Sequence, residues 1–166
     1  MKNVCIINTG GTFNKIYNPL NGLLEVAKDN NAIKTILNQS FLHQNHINII
    51  GIIFKDSLDF DDNDRELLSK TVKNSDDDLI IIIHGTDTMN LSAKFLEQSN
   101  INKTVIFVGT MKPFSVEPFE AISNLSLALG FIQNCEQDIY ISMQGIVLPH
   151  NKIEKNKSLG IFNARN

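Results

Sequence analysis

The stretch Leu79–Met89, LIIIIHGTDTM, decides how this chain reads. Branched aliphatics run without a break into His84 and Gly85, and then into Thr86-Asp87-Thr88. Such a run, closed by a turn, is the pattern of a strand covered on both faces, as in a parallel sheet. The polar residues at its end admit two readings. Asp and Thr accept hydrogen bonds from the free N–H groups where a helix begins. The carboxyl end of a parallel strand is also where open α/β sheets bind ligands. A cap accounts for one of these residues, and Thr88 is the one placed to cap the next helix. It does not account for three.

Further apolar, β-branched runs occur at Val4–Ile7, Ile47–Phe54, Val105–Val108 and Ile139–Met143. Segments with helical spacing lie between them: Ala27–Gln39, Asp61–Asn74 (with Asp61 or Asp62 as N-cap), Met89–Gln98 and Phe119–Gln133. In the last segment Phe119, Ile122, Leu125, Leu129 and Ile132 share one face, while Leu127 and Phe131 fall off it. That spread predicts a helix buried twice, the second time by another subunit, hence at least a homodimer. Repeated β-then-α units predict a three-layer α/β/α sandwich with a mainly parallel, flavodoxin-like sheet.

The chain has 166 residues, 42% of them hydrophobic and 20% charged, which suits one soluble domain spanning 1–166. A net charge of −3 gives no reason to expect nucleic acid or an anionic membrane as partner. No apolar run reaches membrane-spanning length, and the N-terminal run is too brief for a secretory signal. Cys5 and Cys135 lack metal-type spacing and read as reduced thiols of a cytoplasmic protein.

Polar groups follow successive strands: Thr9-Gly10-Gly11-Thr12, then Asp56-Ser57, then Thr86-Asp87. Parallel strands bring all three to one edge of the sheet. The glycines of NTGGTFNK permit positive φ and close approach to a ligand, though a tight turn needs no more than that. Neither phosphate-loop glycine pattern is present. Thr12 is a candidate nucleophile, but a hydroxyl needs an activating base. A lysine held near acids, a tyrosine or His84 are the candidates, and His84 also reads as an anchor of the strand end. His43 and His46 have helix-like spacing, yet no further ligand completes a metal site. No cofactor is called for.

NTGGTF and IIIHGTDTM resemble the two signatures of the bacterial-type asparaginases, amidohydrolases that release ammonia from asparagine and often glutamine. DSLDF (residues 56–60) and VIFVGTMKP (105–113) are similar to further segments of that family, in the same order. The resemblance implies a threonine acyl-enzyme, with Thr12 attacking the side-chain amide of a small substrate such as asparagine. It implies that Thr86, Asp87 and a downstream lysine form an activating triad. The hydrophobic frame of VLPHNKIEKNKSLGIF places that lysine at Lys155, with Lys152 as fallback; a solvated face of Lys152, Lys155 and Lys157 is the alternative. Ser57 is expected to hold the substrate carboxylate and Asp87 its amino group, with Gly11, Asp56, Gly85 and Thr86 also lining the substrate. The N–H groups of Thr12 and Thr86 are the expected oxyanion hole.

Three departures stand out. The sequence stops near the family's interdomain boundary, so a single domain without the smaller carboxyl-terminal one is expected. The family's lid tyrosine is not matched in GLLEVAK; Tyr17, in NKIYNPLNG, either takes its place or packs on a plain hairpin. Leu58 stands where a polar residue usually follows Ser57, which removes one substrate contact.

Overall fold

The computed structural model describes residues 1–40 and 46–165. His43 lies outside them. Among the described residues ten strands and four α-helices follow one another along the chain. The central sheet contains β1 (Val4–Gly10), β4 (Ile47–Lys55), β5 (Leu79–Ile83), β6 (Thr104–Val108), β7 (Ile139–Met143) and β8 (Ile146–Pro149). Their order is β4-β1-β5-β6-β7-β8, parallel except for the antiparallel β8 edge. Counting only the parallel strands, this is the flavodoxin-like order 2-1-3-4-5, whose direction of winding reverses between β1 and β5. Two hairpins flank the sheet, β2 (Lys15–Asn18) with β3 (Leu23–Val26), and β9 (Ile153–Asn156) with β10 (Ile161–Ala164).

Helices α1 (Asn31–Gln39), α2 (Asp62–Lys73), α3 (Met89–Gln98) and α4 (Phe119–Phe131) supply the outer layers. Alternate residues of the strands feed two cores. Ile6, Ile81, Ile83 and Ile106 pack with Ile33, Leu125 and Leu129 on one face, and Ile7, Ile80, Ile82 and Phe107 with Leu68, Ala93 and Leu96 on the other. That two-sided burial is why these strands read as unbroken aliphatic runs. Cys5 is buried, Cys135 half-buried, and both are free thiols. Among the described residues no helix is long and apolar enough to cross a membrane.

The structure departs from the sequence-based expectations at several points. Helix α1 begins at Asn31 rather than Ala27, because the Asn14 amide donates to the carbonyls of Ala27 and Asp29. Those carbonyls therefore belong to a loop, and the Asp29 carboxylate accepts from the Asn31 N–H to start the helix. Of the two expected caps for α2, Asp61 is the N-cap, in a reciprocal capping box with Asp64. Thr88 occupies the N-cap position of α3 but does not cap it; its hydroxyl donates instead to the Ser57 carbonyl at 2.7 Å. Phe119 is 75% exposed, since α4 buries the smaller side chains Ala121, Asn124 and Ala128 together with Leu125 and Leu129.

Candidate active site

The β1–β5 boundary is held together at its carboxyl end. The Thr9 hydroxyl donates to the Ile83 carbonyl at 2.7 Å, and the Gly11 N–H to the Lys55 carbonyl at 2.9 Å. The second bond depends on an irregularity in β4, where the pairing jumps from Asn8–Gly51 to Gly10–Lys55. Ile53 and Phe54 take up the extra length at φ 68° and 54°, a conformation costly for a β-branched side chain. Beyond them Lys55 and Asp56 turn toward the β1 loop.

The close approach foreseen for the glycines is present. Gly11 sits at φ 70°, ψ −172°, a region essentially reserved for glycine. A Cβ there would overlap the backbone of Gly85, and one on Gly85 would lie 2.5 Å from Ser57 Oγ. The three polar groups that follow β1, β4 and β5 thus stack as Gly11, Gly85 and Ser57, backbone against backbone and side chain.

Thr12 follows immediately, half-buried, at the start of a short 3₁₀ turn, Thr12–Asn14. Among the described residues its hydroxyl forms no hydrogen bond. Across the edge, Lys155 Nζ donates to Thr86 Oγ1 and to Asp87 Oδ1, each at 2.8 Å. The Lys155 side chain is 11% exposed and that of Asp87 35%. Of the three candidate lysines, this is the one brought to the site; Lys152 and Lys157 are exposed. Lys155 is aimed by its hairpin: Ile153, two positions back on the same strand face, is fully buried, and the cross-strand partner Phe162 is 3% exposed. The Asn90 amide from α3 holds the Ile153 carbonyl at 2.9 Å, and the Gln144 side chain accepts from the Phe162 N–H at 2.9 Å.

After β4, Ser57 is buried and its hydroxyl has no hydrogen-bond partner among the described residues. An unpaired buried hydroxyl is costly unless something else satisfies it. Asp56 pairs with Lys15 at 2.6 Å and accepts from the Leu58 N–H. Burial pushes the Asp56 carboxyl up, but these two partners outweigh it and hold the group below the usual carboxylate range. Leu58 is 69% exposed. Tyr17 lies opposite Leu24 in the β2–β3 hairpin, is 60% exposed, and its hydroxyl points along the hairpin toward Gly22. A cleft of about 220 Å³ beside the site is lined by Phe13, Lys15, Ala27, Asp29 and Phe114, and not by Thr12, Thr86, Asp87 or Lys155.

Residue typing alone did not single out four contributors. Lys15 binds Asp56; Met111 places its sulfur 3.6 Å from Thr86 Oγ1; Asn90 braces β9; Glu120 accepts from the N–H groups of Met111 and Lys112. Only Lys15 carried a signal, a cation three residues past the proposed nucleophile. No group of three or more His, Cys, Asp or Glu among the described residues is arranged to hold a metal ion.

The class this defines is an open, doubly wound α/β protein with a threonine- and carboxylate-bearing site at its switch point. Residues 3–164 match the family model described as Asparaginase, N-terminal, and the chain belongs to that family. Its fold is similar to those of the thermostable L-asparaginase from Thermococcus kodakarensis (TM-score 0.83, 24% identity) and L-asparaginase I from Vibrio cholerae (0.84, 23%). A probable cytoplasmic L-asparaginase from Campylobacter jejuni is similar too, at 0.80 and 24%. Each comparison covers 99% of this chain but only 51%, 52% and 53% of the respective solved chain, so this chain spans about half their length. No curated protein matches.

Proposed function

We propose that the chain is an asparaginase-like amidohydrolase that releases ammonia from the side-chain amide of asparagine or a related small amide. The observation that carries this reading is Lys155 Nζ, 2.8 Å from both Thr86 Oγ1 and Asp87 Oδ1, on the edge where Thr12 is presented without a partner. Lys155 orients the Thr86 hydroxyl and neutralises Asp87, which an isolated carboxylate in that position would require. In the proposed reaction Thr12 Oγ attacks the amide carbon, and its proton passes to the departing nitrogen through Tyr17, once the hairpin closes, or through the Thr86–Lys155 pair. The negative oxygen of the tetrahedral intermediate is held by the N–H groups of Thr12 and Thr86. Ammonia leaves, and water positioned by Thr86 cleaves the threonine ester. Ser57, with Asp56, Gly11 and Gly85 around it, receives the substrate carboxylate, and Asp87 the amino group. A cytoplasmic location and at least a homodimer complete the reading; similarity to the probable cytoplasmic Campylobacter protein supports the first.

A second reading is favoured by the outer side of the site. Tyr17 and Leu58 face solvent and Thr12 is only half-buried, as suits a non-catalytic amino-acid-binding protein or a subunit completed by another chain. Ammonia release from asparagine, glutamine and a panel of small amides, by the wild type and by Thr12→Ala, separates the two. The enzyme reading expects turnover that the substitution abolishes. Binding detected by thermal shift, with no release from any amide, would establish the second.

A further inference from the structure

His84 is a fully buried titratable side chain that the proposed chemistry does not use. Its ring lies between Phe60 and Phe107, at centroid distances of 4.7 and 5.6 Å. Nδ1 is 2.8 Å from the Gly85 carbonyl oxygen and Nε2 is 2.8 Å from Ser92 Oγ. These contacts define the tautomer. A carbonyl oxygen only accepts, so Nδ1 carries the proton. Burial pushes the imidazole pKa down to about 4, so near neutral pH the ring carries no second proton. Nε2 therefore offers a lone pair, and the Ser92 hydroxyl donates to it.

The chain Ser92 → His84 → Gly85 ends on the carbonyl of the Gly85–Thr86 peptide. In a planar trans peptide the N–H points away from the C=O. Fixing the Gly85 oxygen on the His84 side thus directs the Thr86 N–H to the opposite side. No hydrogen bond among the described residues uses that N–H, so it is a donor available to a ligand. Gly85 has no side chain of its own, so its peptide plane is fixed by close backbone contact with Gly11, by Ser57, and by the bond from His84.

We propose that His84 is a positioning residue for the oxyanion-binding N–H of Thr86, holding the Gly85–Thr86 peptide through Nδ1–H while Ser92 holds the ring. The proposal rests on the amidohydrolase reading and adds a role that belongs to neither the Thr12 nor the Lys155 group.

Two amide substitutions separate the ring nitrogens. His84→Asn keeps an N–H donor where Nδ1 lies, whereas His84→Gln keeps a polar atom only where Nε2 lies. Losing one preorganised oxyanion donor costs ~10²- to 10³-fold in kcat, and loosening one should cost less, about 10- to 100-fold. His84→Gln is expected to lose that much kcat with KM within about twofold, because the donor acts mainly in the transition state. His84→Asn should recover most of it. Ser92→Ala, which leaves the ring in place but unanchored, should lower kcat by about three- to tenfold at unchanged KM, and serves if the Gln variant does not fold by circular dichroism. Equal kcat for the two amide variants, a loss confined to KM, or an unaffected Ser92→Ala would overturn the proposal while the enzyme reading stands. A wild type that releases no ammonia would overturn both.

Discussion

The two sides of the β1–β5 switch point are built differently. On the β5 side the side chains are partnered: Lys155 binds Thr86 and Asp87, Asn90 braces the strand carrying Lys155, and His84 is held between Ser92 and Gly85. On the β1 side Thr12 is unpartnered among the described residues, Ser57 keeps a buried hydroxyl unsatisfied, and Tyr17 and Leu58 face solvent. In the proposed reaction Thr86, Asp87 and Lys155 sit in the packed half and need no rearrangement. The half that carries Thr12, and that in the proposed function admits the amide, is the more open one.

The contrast breaks most easily at Thr12. Thr12→Ala should lower ammonia release by ~10³-fold or more while the melting temperature barely moves, since the hydroxyl supports nothing in the fold. A variant that retains activity would transfer the nucleophile's role elsewhere. On the packed side Lys155→Met should cost ~10²- to 10⁴-fold in kcat, the range for losing a group that handles protons. It should also destabilise the chain measurably, because Asp87 loses its partner. An exposed lysine in a solvated face would produce neither effect in kinetics and urea unfolding.

The packed side also sets a pH dependence. His84 titrates near pH 4 when folded, against 6.5 ordinarily, so the unfolded chain binds more protons between those values. Stability contributed by keeping this ring neutral is present above pH 6.5 and is lost as pH falls toward 4, about 3 kcal/mol in all. Asp56 and Asp61, whose carboxyls are held below 3.8, lose their contributions only at lower pH, and Glu25, held below 4.5 by the amides of Asn18 and Asn21, adds only at the acid end of this window. Urea unfolding at pH 7 and pH 4.5 should show the drop in wild type and a smaller one in His84→Asn. The smallest effect is expected on the open side. Tyr17→Phe should lower kcat by roughly tenfold or less if the hairpin closes on substrate, and not at all if Tyr17 only packs on its own hairpin.

Much of this was legible in the sequence because burial writes itself into composition. The runs at residues 4–7, 79–83, 105–108 and 139–143 are apolar on both faces, and they are strands of the sheet. The order of polar groups after β1, β4 and β5 placed those groups together on one edge, as the contact of Gly11, Gly85 and Ser57 has it. The edge strand β8 and the β9–β10 hairpin were harder to read: β8 is only partly buried, and each short strand of the hairpin buries a single residue, Ile153 or Phe162. The α1 start and the Thr88 contact escaped for another reason. Both are decided by side chains or carbonyls distant in sequence, at Asn14 and Ser57, that local spacing does not register. Lys155 was reached only through the resemblance and the hydrophobic frame; the hairpin that aims it is a tertiary feature.

The most direct test is to look for the covalent bond itself. The chain is mixed with each amide of the panel, quenched in acid within the turnover time, digested, and the peptide carrying Thr12 weighed by mass spectrometry. A threonine acyl-enzyme predicts an acyl mass on Thr12 for the amide that yields ammonia, with none in Thr12→Ala. Ammonia release with no adduct on Thr12, or an adduct on another residue, would contradict it.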